Sequence, residues 1–156
     1  MRVVLQRVTT AAVAVDGHEI GRIGPGLLAL VGIGPGDDHA VVERMAAKVA
    51  ALRIFRDDRG HMNRDVRDHK GAVLSVSQFT LYADVRRGRR PGFTEAAAPE
   101  VAKPLWLAFG EALRVQGLPV HEGEFGADMA VSLVNDGPVT ILLDSAMWGG
   151  GDAGAV

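Results

Sequence analysis

The sequence predicts an α/β fold: a single domain with a mixed, largely antiparallel β-sheet, barrel-like at its core, and two main α-helices. Short segments rich in Val, Ile and Thr, separated by Gly, Pro and Asn-Asp turns, indicate roughly seven or eight strands. Only two segments repeat apolar residues at helical spacing, and both lie between predicted strands. A chain of 156 residues is expected to form one domain whose core needs no disulfide or metal.

The first third of the chain is predicted to consist of strands joined by tight turns. Residues 2–8 and 11–15 are rich in Val and Thr, and Asp16-Gly17 is a hairpin turn that leads to a return strand at residues 20–23. Residues 27–33 form a continuous apolar run between two Gly-Pro-Gly segments. Such a run predicts a strand that is buried on both faces of the sheet.

Caps and periodicity predict the two helices. Asp37 and Asp38 are suited to cap the first helix, and apolar residues then recur at steps of four, four and three over about four turns. Pro99 is suited to the first turn of the second helix, whose apolar residues recur at every fourth position until the stop at Gly117. The two apolar stripes are Val41, Met45, Val49 and Leu52, and Val101, Leu105, Phe109 and Leu113.

The remaining segments complete the predicted domain. Residues 56–71 alternate Arg, Asp and His and predict an exposed loop, and residues 83–97 predict a second loop that is rich in Arg. The domain is expected to span residues 1–145, and the Gly-rich tail, residues 146–156, is expected to be disordered. Because so many strands leave exposed edges, this architecture favours a dimer. Further strands are predicted at residues 72–82, 129–133 and 139–143.

Composition and charge exclude several classes of protein. The 17 Lys and Arg against 19 Asp and Glu give a net charge of −2, so a protein that coats nucleic acid is excluded and any contact with phosphates must be local. The lack of cysteine excludes a disulfide framework, a thiolate nucleophile and Cys-ligated zinc, and it favours a cytoplasmic location. No segment resembles a signal peptide or a membrane span.

The strong enzymatic motifs are missing from the sequence. The Gly-rich segment 32–37 lacks the final glycine of a dinucleotide-binding motif and is expected to be a turn between strand and helix. The chain has neither a phosphate-binding loop nor a Gly-x-Ser-x-Gly elbow. The five histidines lack the spacing of metal ligands, so they are expected on the surface, and neither a metal nor a cofactor is expected.

Two polar features near the predicted central strand are candidates for a site. Ser77, Gln78 and Thr80 end an apolar strand, where an unpaired polar group is costly. They either bond to the backbone and solvent or belong to a binding site. The loop that follows carries four arginines in five positions, and it is either a solvated loop or a contact for phosphates. These arginines are Arg86, Arg87, Arg89 and Arg90.

The segment Asn135-Asp136-Gly137-Pro138 has the composition of a tight turn between two strands. A Gly-Pro bond can also be cis at modest cost, and a cis bond would aim two consecutive carbonyl oxygens in nearly the same direction. Such a pair would be a rigid acceptor with almost no side chain in the way. The residues alone leave both interpretations open.

With these motifs in place, the chain resembles the D-aminoacyl-tRNA deacylases, also called D-tyrosyl-tRNA deacylases. The similarity runs from residue 1 to about residue 144. Ser-Gln-Phe-Thr together with Asn-Asp-Gly-Pro-Val-Thr is specific, whereas either motif alone would be weak. The matching stretches are Leu5–Val8, Arg53–Phe55, Ser77–Leu81, Arg90–Phe93 and Val131–Thr140.

The resemblance implies a homodimeric esterase that hydrolyses the bond between a D-amino acid and the 3′ end of tRNA, and also acts on mischarged glycyl-tRNA. It implies that Ser77, Gln78, Phe79 and Thr80 line the pocket for the terminal adenosine and the aminoacyl group. It also implies that the Gly137-Pro138 turn of one subunit, with a cis bond, enters the pocket of the other and excludes L-amino acids. The arginine loop is expected to contact the tRNA backbone.

The resemblance leaves the chemistry with two interpretations. Thr80 could be a nucleophile, but the sequence offers no positioned base for it, and a lone hydroxyl is a weak nucleophile at neutral pH. We favour substrate-assisted hydrolysis, in which backbone donors near Phe79 and Thr80 polarise the ester carbonyl and the 2′-hydroxyl of the substrate helps to activate water. Thr80 then positions the substrate and does not attack it.

Two other functions fit the same residues. The main alternative is a non-catalytic module that binds the 3′ end of tRNA, and a purely structural dimer comes third. Gly92 departs from the family, which often has serine at this position, so a hydroxyl contact from residue 92 is not expected here.

Overall fold

The computed structural model describes residues 1–148. Its main β-sheet is mixed, as the sequence predicts. The strands are β1 (Arg2–Val15), β2 (His18–Ile23), β3 (Gly26–Gly32), β4 (Phe55–Arg56), β5 (Met62–Arg64), β6 (Ala72–Ser77), β7 (Val120–Glu122) and β8 (Met129–Asp144). The helices are α1 (His39–Ala51) and α2 (Pro99–Val115), with short 3₁₀ helices at Phe79–Tyr82 and Ser145–Trp148.

Strand β1 organises the main sheet. Its first half pairs with β3 and its second half with β2, whereas β8 pairs along nearly its whole length; all three pairings are antiparallel. Strand β6 pairs in parallel with β3 on one side and with β7 on the other. The short strands β4 and β5 form a separate hairpin. The predicted class, a largely antiparallel mixed sheet with two helices, is therefore confirmed.

Local sequence explains how the elements begin and turn. The turn between β1 and β2 has positive φ angles at Asp16 and Gly17, 50° and 77°, which two-residue hairpins require. Helix α1 starts after Asp38, whose side chain accepts a hydrogen bond of 2.9 Å from the Val41 N–H, as the cap was predicted to do. Helix α2 begins at Pro99, as predicted, and still accommodates Pro104 in its interior.

The core lies on both faces of β3. On one face, Leu27 joins the cluster that α1 and α2 cover, and on the other face Leu28 joins a smaller cluster with Val13 and Leu74. The prediction of a strand buried on both faces is confirmed. In α2, however, Val101 is 46% exposed while Trp106 is buried, so the apolar face is rotated from the predicted stripe.

The predicted central strand 72–82 is too long. Strand β6 ends at Ser77 because its neighbour β3 ends at Gly32, and the last ladder bond runs from the Gln78 N–H to the Val31 carbonyl, 2.7 Å. Residues 79–82 then coil into a 3₁₀ helix, which we call the 79–82 helix. The Ser-Gln-Phe-Thr motif is therefore a strand end followed by a helical turn.

Two C-terminal strands were expected, one on each side of residues 135–138, but the structure has a single strand there, β8. Gln6 pairs with Thr140 and Val8 with Asn135, so two steps along β1 match five along β8. The extra residues form a bulge in β8 and not a turn between strands. Pairing with β1 resumes on both sides of the bulge, which is why β8 continues.

Two expectations about loops and termini also change. The segment 56–71 is not wholly an exposed loop, because it contributes to the β4–β5 hairpin and buries Val66 completely. In the tail that was expected to be disordered, residues 146–148 belong to a 3₁₀ helix, and the guanidinium of Arg44 lies 5.3 Å from the centre of the Trp148 ring. The rest of that tail, residues 149–156, lies outside the described residues.

The contact between β3 and β6 gives a test of the fold. A Cβ atom at Gly26 would lie 2.0 Å from the Ala72 carbonyl oxygen, which is backbone and cannot move aside. We predict that Gly26→Ala lowers the free energy of unfolding by at least about 2 kcal/mol, as measured by urea denaturation. Gly36→Ala is the control, because nothing lies within 4 Å of its added Cβ. Equal stability of the two variants would contradict this packing.

Candidate functional site

A cavity of about 420 Å³ opens where β3 and β6 end. Four aromatic side chains and a run of small residues make most of its wall apolar, and the strand-end residues Ser77 and Gln78 supply polar groups. Apolar walls with a few fixed polar groups are typical of sites for small organic ligands. The aromatic residues are Phe79, Phe93, Trp106 and Phe125, and the small residues are Ala96, Ala97, Ala98 and Ala102.

The strand-end motif forms one side of this cavity. Ser77 and Gln78 are half-buried and line it, and the Phe79 ring, 57% exposed, meets Phe93 edge to face with 5.0 Å between ring centres. Thr80, the next residue, is exposed and is not among the residues that line the cavity. Its hydroxyl accepts a hydrogen bond from the Gln78 side-chain amide. Among residues 1–148 no carboxylate or histidine bonds to this hydroxyl, so the structure offers no base to activate it.

Backbone donors are available at the same place. The first N–H groups of a helix have no acceptor within the helix. In the 79–82 helix these are the N–H groups of Phe79 and Thr80, since the Leu81 N–H is the first that reaches back, to the Gln78 carbonyl at 3.2 Å. The segment can therefore present two adjacent donors to a ligand.

The back of the cavity is fixed by buried hydrogen bonds. The Trp106 indole N–H donates to the Ser75 hydroxyl at 3.0 Å, and both residues are buried. The Ser75 carbonyl accepts from the Gly123 N–H at 2.9 Å, which holds the segment that carries Phe125. The sequence interpretation assigned no site role to Trp106 or Phe125. The position of Phe125 between two nearby glycines could have indicated a site residue. Trp106 gave no such signal, because it resembles any other apolar residue on the buried side of a helix.

The four arginines of the loop differ in their contacts. Arg86 forms a two-point contact with Asp84, 2.8 Å at each end, and this contact holds the pKa of the Asp84 carboxyl well below its usual range. Asp84 and Gly92 exchange two backbone hydrogen bonds that close the loop. Arg86 therefore braces the loop. The other three arginines are exposed and form no ion pair with any residue from 1 to 148: Arg87, Arg89 and Arg90.

The Gly137-Pro138 segment lies apart from this cavity in the same chain. Its peptide bond is cis, the geometry that the resemblance implies. Both residues are exposed on the bulge of β8, and neither is among the residues that line the cavity. The Asn135 side chain spans the bulge, accepting from the Val139 N–H at 2.7 Å and donating to the Val139 carbonyl at 3.1 Å.

A buried arginine of β1 is bonded to the bulge. Arg7 is 1% exposed, and its Nε donates to the Asp136 carbonyl at 2.9 Å. Its Nη1 donates to the Ile54 carbonyl at 2.5 Å, so one guanidinium joins the bulge to the segment after α1. Its Nη2 is buried without an acceptor among residues 1–148.

Tyr82 is the last residue of the 79–82 helix, and its ring contacts Arg2 of β1. Burial raises the pKa of its phenol to about 12, the carboxylates of Asp37 and Asp144 add to the rise, and the Arg2 cation opposes it. A second depression of about 490 Å³ lies on the β4–β5 hairpin, but there the Asp57 carboxylate already accepts the N–H groups of Arg59 and His61.

Fold and site together define a class: a small α/β protein with an aromatic-lined cavity at a strand end and exposed arginines on the loop that supplies one wall. Such a site suits a ligand that combines an aromatic or apolar group with phosphates. Comparison with known proteins then identifies the family. The chain belongs to the D-Tyr-tRNA(Tyr) deacylase family, whose model matches residues 4–144.

Individual relatives agree with this family. A protein of Paracoccus denitrificans named D-aminoacyl-tRNA deacylase is 62% identical over 146 residues, which are 94% of this chain and 98% of that protein. One of Thermomicrobium roseum with the same name is 60% identical over 151 residues, 97% of this chain and 98% of that protein. A solved structure described as c-Myc DNA Unwinding Element Binding Protein has a TM-score of 0.86 at 42% identity and covers 92% of this chain and 98% of its own.

None of the helices within residues 1–148 is both long and apolar enough to span a membrane.

The environment of Tyr82 gives a test of the site, because Tyr82 is the one tyrosine in the sequence. We predict that its phenol titrates at about pH 12 in the folded protein, by phenolate absorbance, with circular dichroism recorded in parallel. Since this pKa lies above the usual value of about 10, the neutral ring stabilises the fold below about pH 10 and that contribution is lost toward pH 12. A midpoint near 10 while the protein is still folded would contradict the burial of the ring.

Proposed function

We propose that this chain hydrolyses the ester bond between a D-amino acid and the 3′ end of tRNA and rejects the L-aminoacyl ester. Membership of the deacylase family supports the proposal. The observation that carries it is the Ser77–Phe79 segment, which forms a wall of an aromatic cavity and leads into the 79–82 helix, whose first two N–H groups have no acceptor within that helix. Because aminoacyl-tRNA is a cytoplasmic substrate, we place the protein in the cytoplasm.

The proposed chemistry uses backbone and substrate groups. The N–H groups of Phe79 and Thr80 polarise the ester carbonyl and stabilise the negative charge that develops on its oxygen. The 2′-hydroxyl of the terminal adenosine helps to activate a water molecule. The water oxygen bonds to the carbonyl carbon, the bond to the 3′-oxygen breaks, and that oxygen takes a proton. The products are the free D-amino acid and tRNA with a 3′-hydroxyl.

Chiral selection is proposed to need a second copy of the chain. Gly137-Pro138 lies outside the cavity of its own subunit, so it is proposed to enter the cavity of a partner and occupy the space of an L side chain. Asn135 and Arg7 hold the bulge in place for this role. Glycine has no side chain to exclude, which is why mischarged glycyl-tRNA is also a proposed substrate.

Strand β8 supports the proposed homodimer. Among the described residues β8 pairs with β1 alone, so its other side is a free edge that a second copy can cover. The large apolar side chains exposed on this strand are Val131, Val134 and Leu142.

The arginine loop is proposed to hold the tRNA backbone near its 3′ end. Arg87, Arg89 and Arg90 are exposed and supply the cations, and Arg86 maintains the shape of the loop through Asp84. A local contact of this kind agrees with a net charge of −2.

The direct test is a steady-state assay with D-tyrosyl-tRNA and L-tyrosyl-tRNA. We expect multiple turnovers on the D substrate and at least about 100-fold slower release from the L substrate, because a rigid block in the space of the L side chain excludes it. Binding of both substrates without release of amino acid would contradict the proposal and favour the non-catalytic 3′-end-binding module.

A pair of changes tests the chemistry. We expect Thr80→Ala to keep activity within about tenfold of the unchanged protein, since no carboxylate or histidine among residues 1–148 bonds to the Thr80 hydroxyl. We expect D-aminoacyl-tRNA that ends in 2′-deoxyadenosine to react at least about 100-fold more slowly. Single-turnover rates measure both. Loss of activity in Thr80→Ala together with normal cleavage of the deoxy substrate would instead identify Thr80 as the nucleophile.

A further inference from the structure

The 79–82 helix packs on one side only. Phe79 and Thr80 are exposed, whereas Leu81 and Tyr82 are half-buried and lie close to Gly32 and Gly34 at the end of β3. Two hydrogen bonds define its shape: the Leu81 N–H reaches the Gln78 carbonyl at 3.2 Å and the Ala83 N–H reaches the Thr80 carbonyl at 3.1 Å. A short turn with one exposed side can open locally, so any further contact that holds it contributes to its placement.

One side chain from β1 adds such contacts. The Nη1 group of Arg2 donates to the Leu81 carbonyl at 2.9 Å, and the guanidinium carbon lies 4.5 Å from the centre of the Tyr82 ring. The Nε of the same group donates to the Asp144 carboxylate at 2.9 Å. Arg2 and Asp144 also face each other in the pairing of β1 with β8. Arg2 therefore joins two residues of the helix to the β1–β8 pair.

We propose that Arg2 is a positioning residue of the deacylation reaction: it fixes the 79–82 helix on the β1–β8 pair so that the N–H groups of Phe79 and Thr80 stay aimed at the ester carbonyl. The inference rests on the proposed function. Preorganised donors stabilise a transition state only while they keep their place, and a displacement of about 1 Å can cost about 100-fold in rate.

The contacts require arginine and not merely a cation. The guanidinium is planar and carries separate N–H groups, so it can donate to a carboxylate and a carbonyl while its face lies on an aromatic ring. A lysine ammonium is a point charge that cannot make the three contacts together. The 4.5 Å distance from the guanidinium carbon to the centre of the Tyr82 ring is the separation of such a stacked contact.

Three variants test the proposal: Arg2→Met, Arg2→Lys and the control Arg22→Met. Arg22 is also a strand arginine with a carboxylate partner, Glu19, but it lies on β2 and contacts no residue of the 79–82 helix. Single-turnover rates and KM for D-tyrosyl-tRNA are measured below the unfolding temperature of each variant. Amide hydrogen exchange at Leu81 and Ala83 is measured on the same samples without substrate.

We expect Arg2→Met to lower the rate of ester cleavage about 10- to 100-fold with KM within about threefold, because the donors are displaced while the cavity remains. Arg2→Lys recovers part of that loss. Exchange at Leu81 and Ala83 becomes faster in Arg2→Met, and Arg22→Met matches the unchanged protein in all three measurements.

The outcomes separate this inference from the proposed function. If the protein without substitutions had no deacylase activity, the proposed function would be wrong, and the catalytic role of Arg2 with it. The exchange rates would still show whether Arg2 holds the helix. An active protein in which Arg2→Met cleaves as fast as Arg22→Met would overturn the inference alone. A rise in KM at an unchanged cleavage rate would also overturn it, since Arg2 would then serve binding.

Discussion

The antiparallel pairing of β1 with β8 is the interaction on which the rest of the structure depends. β1 carries β3 and β2 on its other side, and β3 in turn leads to β6 and the cavity. Two arginines of β1 extend this pair into the candidate site. Arg7 holds the bulge that carries Gly137-Pro138, and Arg2 holds the helix that follows the Ser-Gln-Phe motif. The two halves of the proposed site are thus fixed to one rigid element, although they lie apart in a single chain.

The contents of the site explain why the proposed chemistry relies on backbone and substrate. The Thr80 hydroxyl bonds to an amide and not to a base in the described part of the chain, and the sequence has no cysteine. The N–H groups of Phe79 and Thr80, just after β6, are the proposed groups that polarise the carbonyl, and such donors need accurate placement more than they need reactivity. Cations are concentrated in the same way: a chain with a net charge of −2 presents Arg87, Arg89 and Arg90 together on one exposed loop.

Sequence patterns predicted the elements whose signals are local. The Asp16-Gly17 hairpin, the Asp38 cap and the doubly buried strand β3 each depend on adjacent residues, and each was predicted correctly. The errors concern features that depend on distant partners. Strand β6 ends where β3 ends, and β8 runs through Asn135-Asp136-Gly137-Pro138 because β1 pairs on both sides of that segment. A pocket at Ser77–Phe79 was expected, but the aromatic wall opposite them was missed for the same reason, since Phe93, Trp106 and Phe125 come together only in the fold.

Mixed dimers test whether each site combines the Ser77–Thr80 segment of one subunit with the Gly137-Pro138 bulge of another, as proposed. One subunit carries Phe79→Pro, which removes a backbone donor. The other carries Gly137→Ala, whose Cβ would lie 2.6 Å from the Val139 nitrogen and must displace the bulge. The Gly137→Ala homodimer should hydrolyse L-tyrosyl-tRNA. Mixed dimers, isolated through two affinity tags, should hydrolyse D-tyrosyl-tRNA and again reject the L substrate, because the normal bulge enters the active cavity. Hydrolysis of the L substrate by the mixed dimers, at the same rate per Gly137→Ala subunit as in the homodimer, would show that the bulge does not act across the dimer.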